Sequence, residues 1–307
     1  MQTKLKGYAL GAIAAATYGM NPLFALPCYE AGMGADSVLF FRYLFAIPIL
    51  GAMLRARGHR FGLRRREALV LLLFGWLVAL SSLALFESYN HMAAGIASTL
   101  LFVYPILVAL LMCGLFGERL TGGTVGCIAL ATAGIALLYR NADGSTLSLA
   151  GTLLVLVSAL SYAIYLVGVN RSTLREVPTL KVTFYVLLFG LSLFAARLLG
   201  TGRIETPDRW YVWLDLLALA LFPTAVSFLC TTAAIHAIGS TPTAILGALE
   251  PVTAIFFGIT LFGERLTVRN AAGLVLIIAA VTLVVAGGRI SLPLTRFRKL
   301  FPRIRRS

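Results

Sequence analysis

Three ionisable side chains sit in or at the edge of long apolar runs, where each could do chemistry. Glu250 stands directly before Pro251. Proline lacks an N–H donor, so it frees a carbonyl one turn back and kinks a helix. A carboxylate beside such a kink could hold a cationic group or a proton. The structural alternative is an acid bonded to a neighbouring helix or to Arg42. Arg42 itself could grip a carboxylate through two parallel N–H donors. It could equally extend its head group to an interface, or pair with Asp36. Glu87 and His91 are four positions apart, which on a continuous helix puts them on one face and suits a proton relay. Near a helix end the two could also simply be hydrated.

The signatures of other chemistries are missing. There is no Walker loop, no His-Glu-x-x-His, no Gly-x-Ser-x-Gly and no cysteine–histidine set with metal spacing. No cofactor, no metal and no direct use of ATP are therefore expected. Cys28, Cys113, Cys127 and Cys230 form no Cys-x-x-Cys pair and read as small hydrophobes. Arg42, Glu87, His91 and Glu250 are too few and too scattered for an intramembrane enzyme, so an enzyme is not expected.

The elements that hold these residues follow from composition. Of 307 residues, 59% are hydrophobic and only 12% are charged. A soluble domain carries about 25% charged residues, so a water-soluble enzyme is excluded, and so much apolar material also excludes disorder. A membrane helix takes about 20 apolar residues. Ten such runs can be read, at 7–27, 37–54, 68–88, 93–116, 122–139, 149–169, 179–199, 211–235, 241–261 and 268–286. The fold class expected is all-α integral membrane. The first run is longer than a signal-peptide core and contains Asn21 and Pro22, so it counts as a span.

The formal charge is +14, which in a soluble chain would suggest nucleic acid; here the basic residues lie between apolar runs, and no nucleic-acid partner is expected. With the N-terminus inside, inner segments hold 19 Lys and Arg and outer segments six. That excess puts both termini in the cytoplasm of a cell (inner) membrane, as a multi-pass protein. The tail, 287–307, carries seven basic residues and no acid, which suits anionic lipid headgroups.

The chain also repeats itself. Leu115-Phe116-Gly117-Glu118-Arg119-Leu120-Thr121 recurs letter for letter as Leu261 to Thr267. The same offset, 146, pairs Pro105 with Pro251 and Tyr104 with Glu250, and an offset of 144 pairs Gly7 with Gly151 and Tyr18 with Tyr162. Each copy, 7–139 and 149–286, then holds five spans. An odd number makes the second copy enter the membrane from the opposite side, so the repeats are inverted. Inverted repeats mark secondary transporters that bind their solute near the midplane. Gly122-x-x-x-Gly126 offers small residues for close packing of the fifth span within the bundle.

Pro105…Gly117-Glu118-Arg119-Leu120, Glu250-Pro251…Gly263-Glu264-Arg265-Leu266 and the first-span segment Ala16-Thr17-Tyr18-Gly19-Met20-Asn21 resemble the EamA type of the drug/metabolite transporter superfamily. Tyr18 stands where that family usually has tryptophan. The resemblance covers about residues 7–286 and implies ten helices around a central cavity, both ends cytoplasmic, spans 5 and 10 bracing the outside, and a metabolite solute, in many members moved outward. It puts Tyr18, Asn21, Tyr104, Tyr162 and Tyr165 on cavity spans, with Pro105 and Pro251 as helix kinks. Tyr18 and Asn21 share one helix face, as do Tyr162 and Tyr165. Hydroxyl and amide groups there suit a zwitterion such as an amino acid, while interface tyrosines and interhelical hydrogen bonds are the plain alternative. A non-transporting sensor or assembly subunit is the alternative function. Sequence leaves the oligomeric state, the driving force and the solute open.

Overall fold

The computed structural model describes residues 2–92, 94–117, 121–138, 148–201, 204–262 and 268–287. The repeated Glu118-Arg119 and Glu264-Arg265 and the basic tail lie outside the described residues. All regular structure described is helical. In chain order it is α1 (Gln2–Tyr18), α2 (Asn21–Glu30), α3 (Ala35–Ala56), α4 (Arg65–Ser88), α5 (Ala94–Leu101), α6 (Tyr104–Phe116), α7 (Gly122–Leu138), α8 (Leu149–Arg171), α9 (Thr179–Thr201), α10 (Trp210–Ala220), α11 (Ser227–Ile238), α12 (Ser240–Leu246), α13 (Leu249–Phe262) and α14 (Val268–Gly287). A short 3-10 turn (Thr173–Glu176) precedes α9, and a π-helical stretch (Leu221–Val226) joins α10 to α11.

Six described helices are long and apolar enough to cross a membrane: Thr3–Glu30, Ala35–Ala56, Arg65–Ser88, Leu149–Arg171, Thr179–Gly200 and Trp210–Ile238. Tyr104–Phe116, Gly122–Gly134 and Ala271–Ala280 are shorter apolar helices. On α4 the reason is visible residue by residue. Leu71, Phe74, Val78, Ser82 and Leu85 are buried, while Leu69, Leu73, Trp76 and Leu80 on the opposite face are exposed. A helix apolar on both faces needs protein on one side and lipid on the other.

Several helix breaks fall just before a proline, while Pro27 and Pro48 sit inside α2 and α3 without ending them. A proline cannot donate to the carbonyl four residues back. α1 ends at Tyr18, four before Pro22, and α5 ends at Leu101, four before Pro105. α12 ends at Leu246, next to Gly247, whose carbonyl gets no donor from Pro251 and accepts the Glu250 N–H at 2.9 Å instead. Pro223 acts differently. Its helix widens into the π stretch, and the carbonyl it frees, Leu219 O, accepts the Thr224 hydroxyl at 2.6 Å. Four described glycines adopt a positive φ, where a side chain would be strained, and two of these end helices of the interior. Gly117 closes α6 at φ 63°, and Gly239 joins α11 to α12 at φ 90°.

Helix pairing follows a regular pattern. α4 packs on α8 and α1 on α11; α6 packs on α8 and α1 on α13; α3 lies against α9 and α7 against α14. Small residues make these approaches close. Gly134 of α7 meets the backbone of Gly273 and Ile277 on α14, whereas Gly126 faces open space. The close packing of α7 therefore sits at Gly134, and Gly126 of the Gly122-x-x-x-Gly126 pair takes no part in it. At one end of α3, Asp36 forms a two-pronged ion pair with Arg197 of α9 at 2.7 and 3.1 Å. At the other end, Lys181 and Tyr185 of α9 donate to the carbonyls of Gly62 and Phe61.

Candidate functional site

The helix breaks bring polar residues into the apolar interior. Tyr104 is the first residue of α6 and Glu250 the second of α13, each just past a break. Both are buried, and they line the same interior void. Two glycines permit the approach. A Cβ on Gly247 would collide with the Tyr104 hydroxyl, and one on Gly19 would meet the carbonyl oxygen of Glu250.

Aromatic rings extend the cluster. Tyr18 stacks on Tyr162 with ring centres 6.1 Å apart and planes 9° from parallel. Tyr162 meets Tyr104 edge-on at 5.1 Å and stacks on Tyr165 at 6.1 Å. Such pairs add about 0.5–1.5 kcal/mol each beyond area burial. The Tyr165 hydroxyl is used up in a 3.2 Å contact with Thr232, and Thr232 in turn donates to the carbonyl of Phe228. Tyr165 therefore backs the cluster.

Two small voids flank Glu250. Tyr104, Tyr162, Ser227, Thr231 and Thr243 line the first with it. Tyr18, Asn21, Tyr89 and Ser98 line the second with it. Each has a free volume of about 10 Å³, at the threshold for a single water. A pocket for a drug-sized ligand is about 300–1,000 Å³, so the helices around the site must part before a metabolite fits.

Arg42, the eighth residue of α3, is fully buried. It reaches neither an interface nor Asp36, which Arg197 occupies. Its Nε donates to the Thr224 hydroxyl and its Nη2 to the Pro223 carbonyl at 3.1 Å, both in the π-helical stretch. Its guanidinium carbon stands 5.3 Å from the Phe86 ring centre and 6.0 Å from that of Tyr18. A cation over an aromatic face gains about 2 kcal/mol or more when desolvated.

Of the residues singled out by sequence, Tyr18, Asn21, Tyr104, Tyr162 and Glu250 meet around the voids. Glu87 and His91 lie apart from them. α4 ends at Ser88, so His91 falls in the following turn, off the helical face, and is exposed while Glu87 is half-buried. Sequence reading passed over Ser227, Thr231, Thr243, Tyr89 and Ser98. Their one signal was a small or phenolic hydroxyl within an apolar run, and many such hydroxyls serve only to bond a helix carbonyl. Among the described residues no group of His, Cys, Asp and Glu could hold a metal ion.

An all-helical, multi-pass membrane protein with its polar groups gathered at interior helix breaks is the architecture of a carrier. The chain belongs to the EamA-like transporter family, whose model matches residues 5–140 and again 149–286. An uncharacterized transporter of Archaeoglobus fulgidus is 29% identical over 82% of this chain and 88% of its own length. The threonine/homoserine exporter RhtA of Escherichia coli K12 is 27% identical over 81% of each chain. A probable amino-acid metabolite efflux pump of the same strain is 29% identical over 72% of this chain and 77% of its own. A solved crystal structure superposes with a TM-score of 0.75, covering 92% of this chain and 97% of that one at 20% identity; the two share a fold.

Proposed function

We propose that this chain is a secondary transporter that exports small polar or amphipathic metabolites, amino acids among them, by alternating access through its centre. The observation that carries the reading is the Tyr104–Glu250 pair. A carboxylate and a phenol, each within two residues of a helix break, face one void too small for a solute, and the carboxylate also borders a second. Broken helices near the midplane are how carriers build a site from side chains and freed backbone groups. The names of the relatives support an amino-acid-like solute moved outward.

The chain is read as ten spans in two inverted copies, 7–139 and 149–286, followed by the basic tail 287–307. Support comes from contacts that recur at the repeat offset. The Ser81 hydroxyl donates to the carbonyl of Ser158 at 3.0 Å, and 146 positions on the Ser227 hydroxyl donates to that of Ala14 at 2.9 Å. Gly7 packs on Ala237 and Ile238, while Gly151 packs on His91 and Met92. Tyr18 and Tyr162, equivalent positions, stack on each other, as expected of residues beside a two-fold axis. The excess of basic residues on one side supports cytoplasmic termini in the cell membrane, with the tail against anionic headgroups.

In this reading Glu250 receives the cationic group of the solute, or a proton in exchange, while Tyr104, Tyr162, Tyr18 and Asn21 supply hydroxyl, ring and amide contacts. Tyr165 supports them from behind, Pro105 and Pro251 set the breaks, and Glu87 and His91 form a separate charged group at the end of α4. Solute efflux from liposomes containing only this protein tests the proposal. Gradient-driven flux that Glu250→Gln strongly reduces is the expected result. Saturable binding with no flux in any preparation would make the protein a sensor or an assembly subunit instead.

A further inference from the structure

Arg42 carries an unusual combination of properties. It is fully buried, and no carboxylate among the described residues lies within ion-pair distance of it. Two of its nitrogens are spent on neutral acceptors, the Thr224 hydroxyl and the Pro223 carbonyl, and the third, Nη1, has no partner. Neutral acceptors leave a full positive charge uncompensated in a medium where charge is costly. Its ring neighbour Tyr18 also lines the second void, with Asn21 and Glu250. Asn21 is buried at 1% exposure, and neither its Oδ1 nor its Nδ2 has a partner. An unsatisfied buried polar group costs about 1–3 kcal/mol. The interior thus presents, around one tyrosine ring, an unneutralised guanidinium, an amide with donor and acceptor both free, and a carboxylate.

That set complements an α-amino acid. A guanidinium fork matches a carboxylate in geometry and charge. The amide of Asn21 can donate to the same carboxylate and accept from the ammonium beside it, and Glu250 neutralises the ammonium. Resting on the transporter reading, we infer that Arg42 and Asn21 form the carboxylate subsite of a zwitterionic solute whose ammonium group goes to Glu250, with the Tyr18 ring filling the gap while the site is closed. A second consequence follows from what Arg42 holds. The solute carboxylate takes the guanidinium from Pro223 and Thr224, which frees the π-helical stretch Leu221–Val226 to change shape. Recognition of the carboxylate and movement of the broken helix are then one event.

The test is a binding series on the purified full chain, read by thermal shift and by calorimetry. The ligands are α-amino acids, each with its decarboxylated amine and its amide, and chloride against gluconate. At least one amino acid binds about 30-fold or more tightly than its own amine and amide, the worth of a charge-assisted contact. Arg42→Gln removes that ratio, and Arg42→Lys, which keeps the charge but loses the fork, cuts it about tenfold with amine binding unchanged. Thr224→Val keeps the ratio, since that residue holds Arg42 and not the solute. An unchanged ratio in Arg42→Lys, in Arg42→Gln where it folds, or amines binding the wild type as well as amino acids, overturns the inference. So does chloride alone stabilising the protein through Arg42. If no amino acid binds while another solute class shows Glu250-dependent flux, the inference fails and the transporter reading stands. If amino acids bind with the expected ratio but nothing crosses the membrane, the subsite stands and the transporter reading fails.

Discussion

Tyr104 lines the same interior void as Glu250, its own counterpart 146 positions further along the chain. In the inverted arrangement proposed, equivalent residues of the two copies meet only near the axis that relates them. The same holds for Tyr18 stacked on Tyr162. An ancestral pair of like residues at such a place can diverge into an acid and a phenol, and the centre then acquires a carboxylate on one side only.

Glu250→Gln lowers transport by about 10–150-fold, the worth of a contact to a charged group, while the protein stays inserted and monodisperse. Tyr104→Phe alone has a smaller effect. Because the two side chains border the same void, their effects couple, and the double variant loses less than the sum of the two single losses. Initial rates of solute efflux from proteoliposomes measure all three, and strictly additive losses would separate the two residues.

Gly247→Ala costs about 1–3 kcal/mol, since the new methyl group would strike the Tyr104 side chain. Tyr104→Leu in the same chain recovers part of that loss, because the shorter side chain vacates the point of collision. Thermal unfolding in detergent decides it, and a Gly247→Ala protein as stable as the wild type would show that the two residues do not meet.

Ser81→Ala and Ser227→Ala lower stability by similar amounts, about 0.6–1.7 kcal/mol each, because their hydroxyls make equivalent interhelical bonds. Ala14→Ser is neutral or mildly stabilising, since Ser158, the residue at the equivalent place, already donates to the Ser81 carbonyl at 2.7 Å. Parallel melting curves of the three variants check this; a large loss in one serine variant and none in the other argues against the repeat.

Single cysteines at the exposed His59 and at a position in 287–307, in a chain whose four native cysteines are replaced, react with an impermeant maleimide only from the cytoplasmic side. Labelling of both in intact cells from outside would reverse the orientation proposed.

Much of this arrangement was legible in the sequence because local rules produced it. The apolar runs gave the helices, and a helix satisfies its own backbone in lipid whatever its neighbours do. Pro105 and Pro251 marked two of the breaks, because the missing N–H acts within its own turn, although Pro27 and Pro48 sit inside α2 and α3 without ending them. Seven identical residues at 115–121 and 261–267 gave the repeat, and through it the pairing of Tyr104 with Glu250. These are one-dimensional facts, and they needed no knowledge of which helix lies beside which.

The partners of charged and polar side chains were another matter. Sequence alone left Arg42 open between a solute carboxylate, an interface and Asp36, whereas the fold gives Asp36 to Arg197 on α9 and turns Arg42 to Pro223 and Thr224, more than 180 positions on. It put Glu87 and His91 on one face, and the end of α4 at Ser88 removed the face. It passed over Ser227 and Thr231, whose spacing resembles that of any hydroxyl bonded to its own helix. Only tertiary packing decides which of many buried hydroxyls and charges meet, because each choice depends on the approach of two helices distant in the chain. In the bilayer interior, where water cannot serve as a substitute partner, those approaches determine which polar groups are satisfied and which, like Asn21 and the third nitrogen of Arg42, are left open.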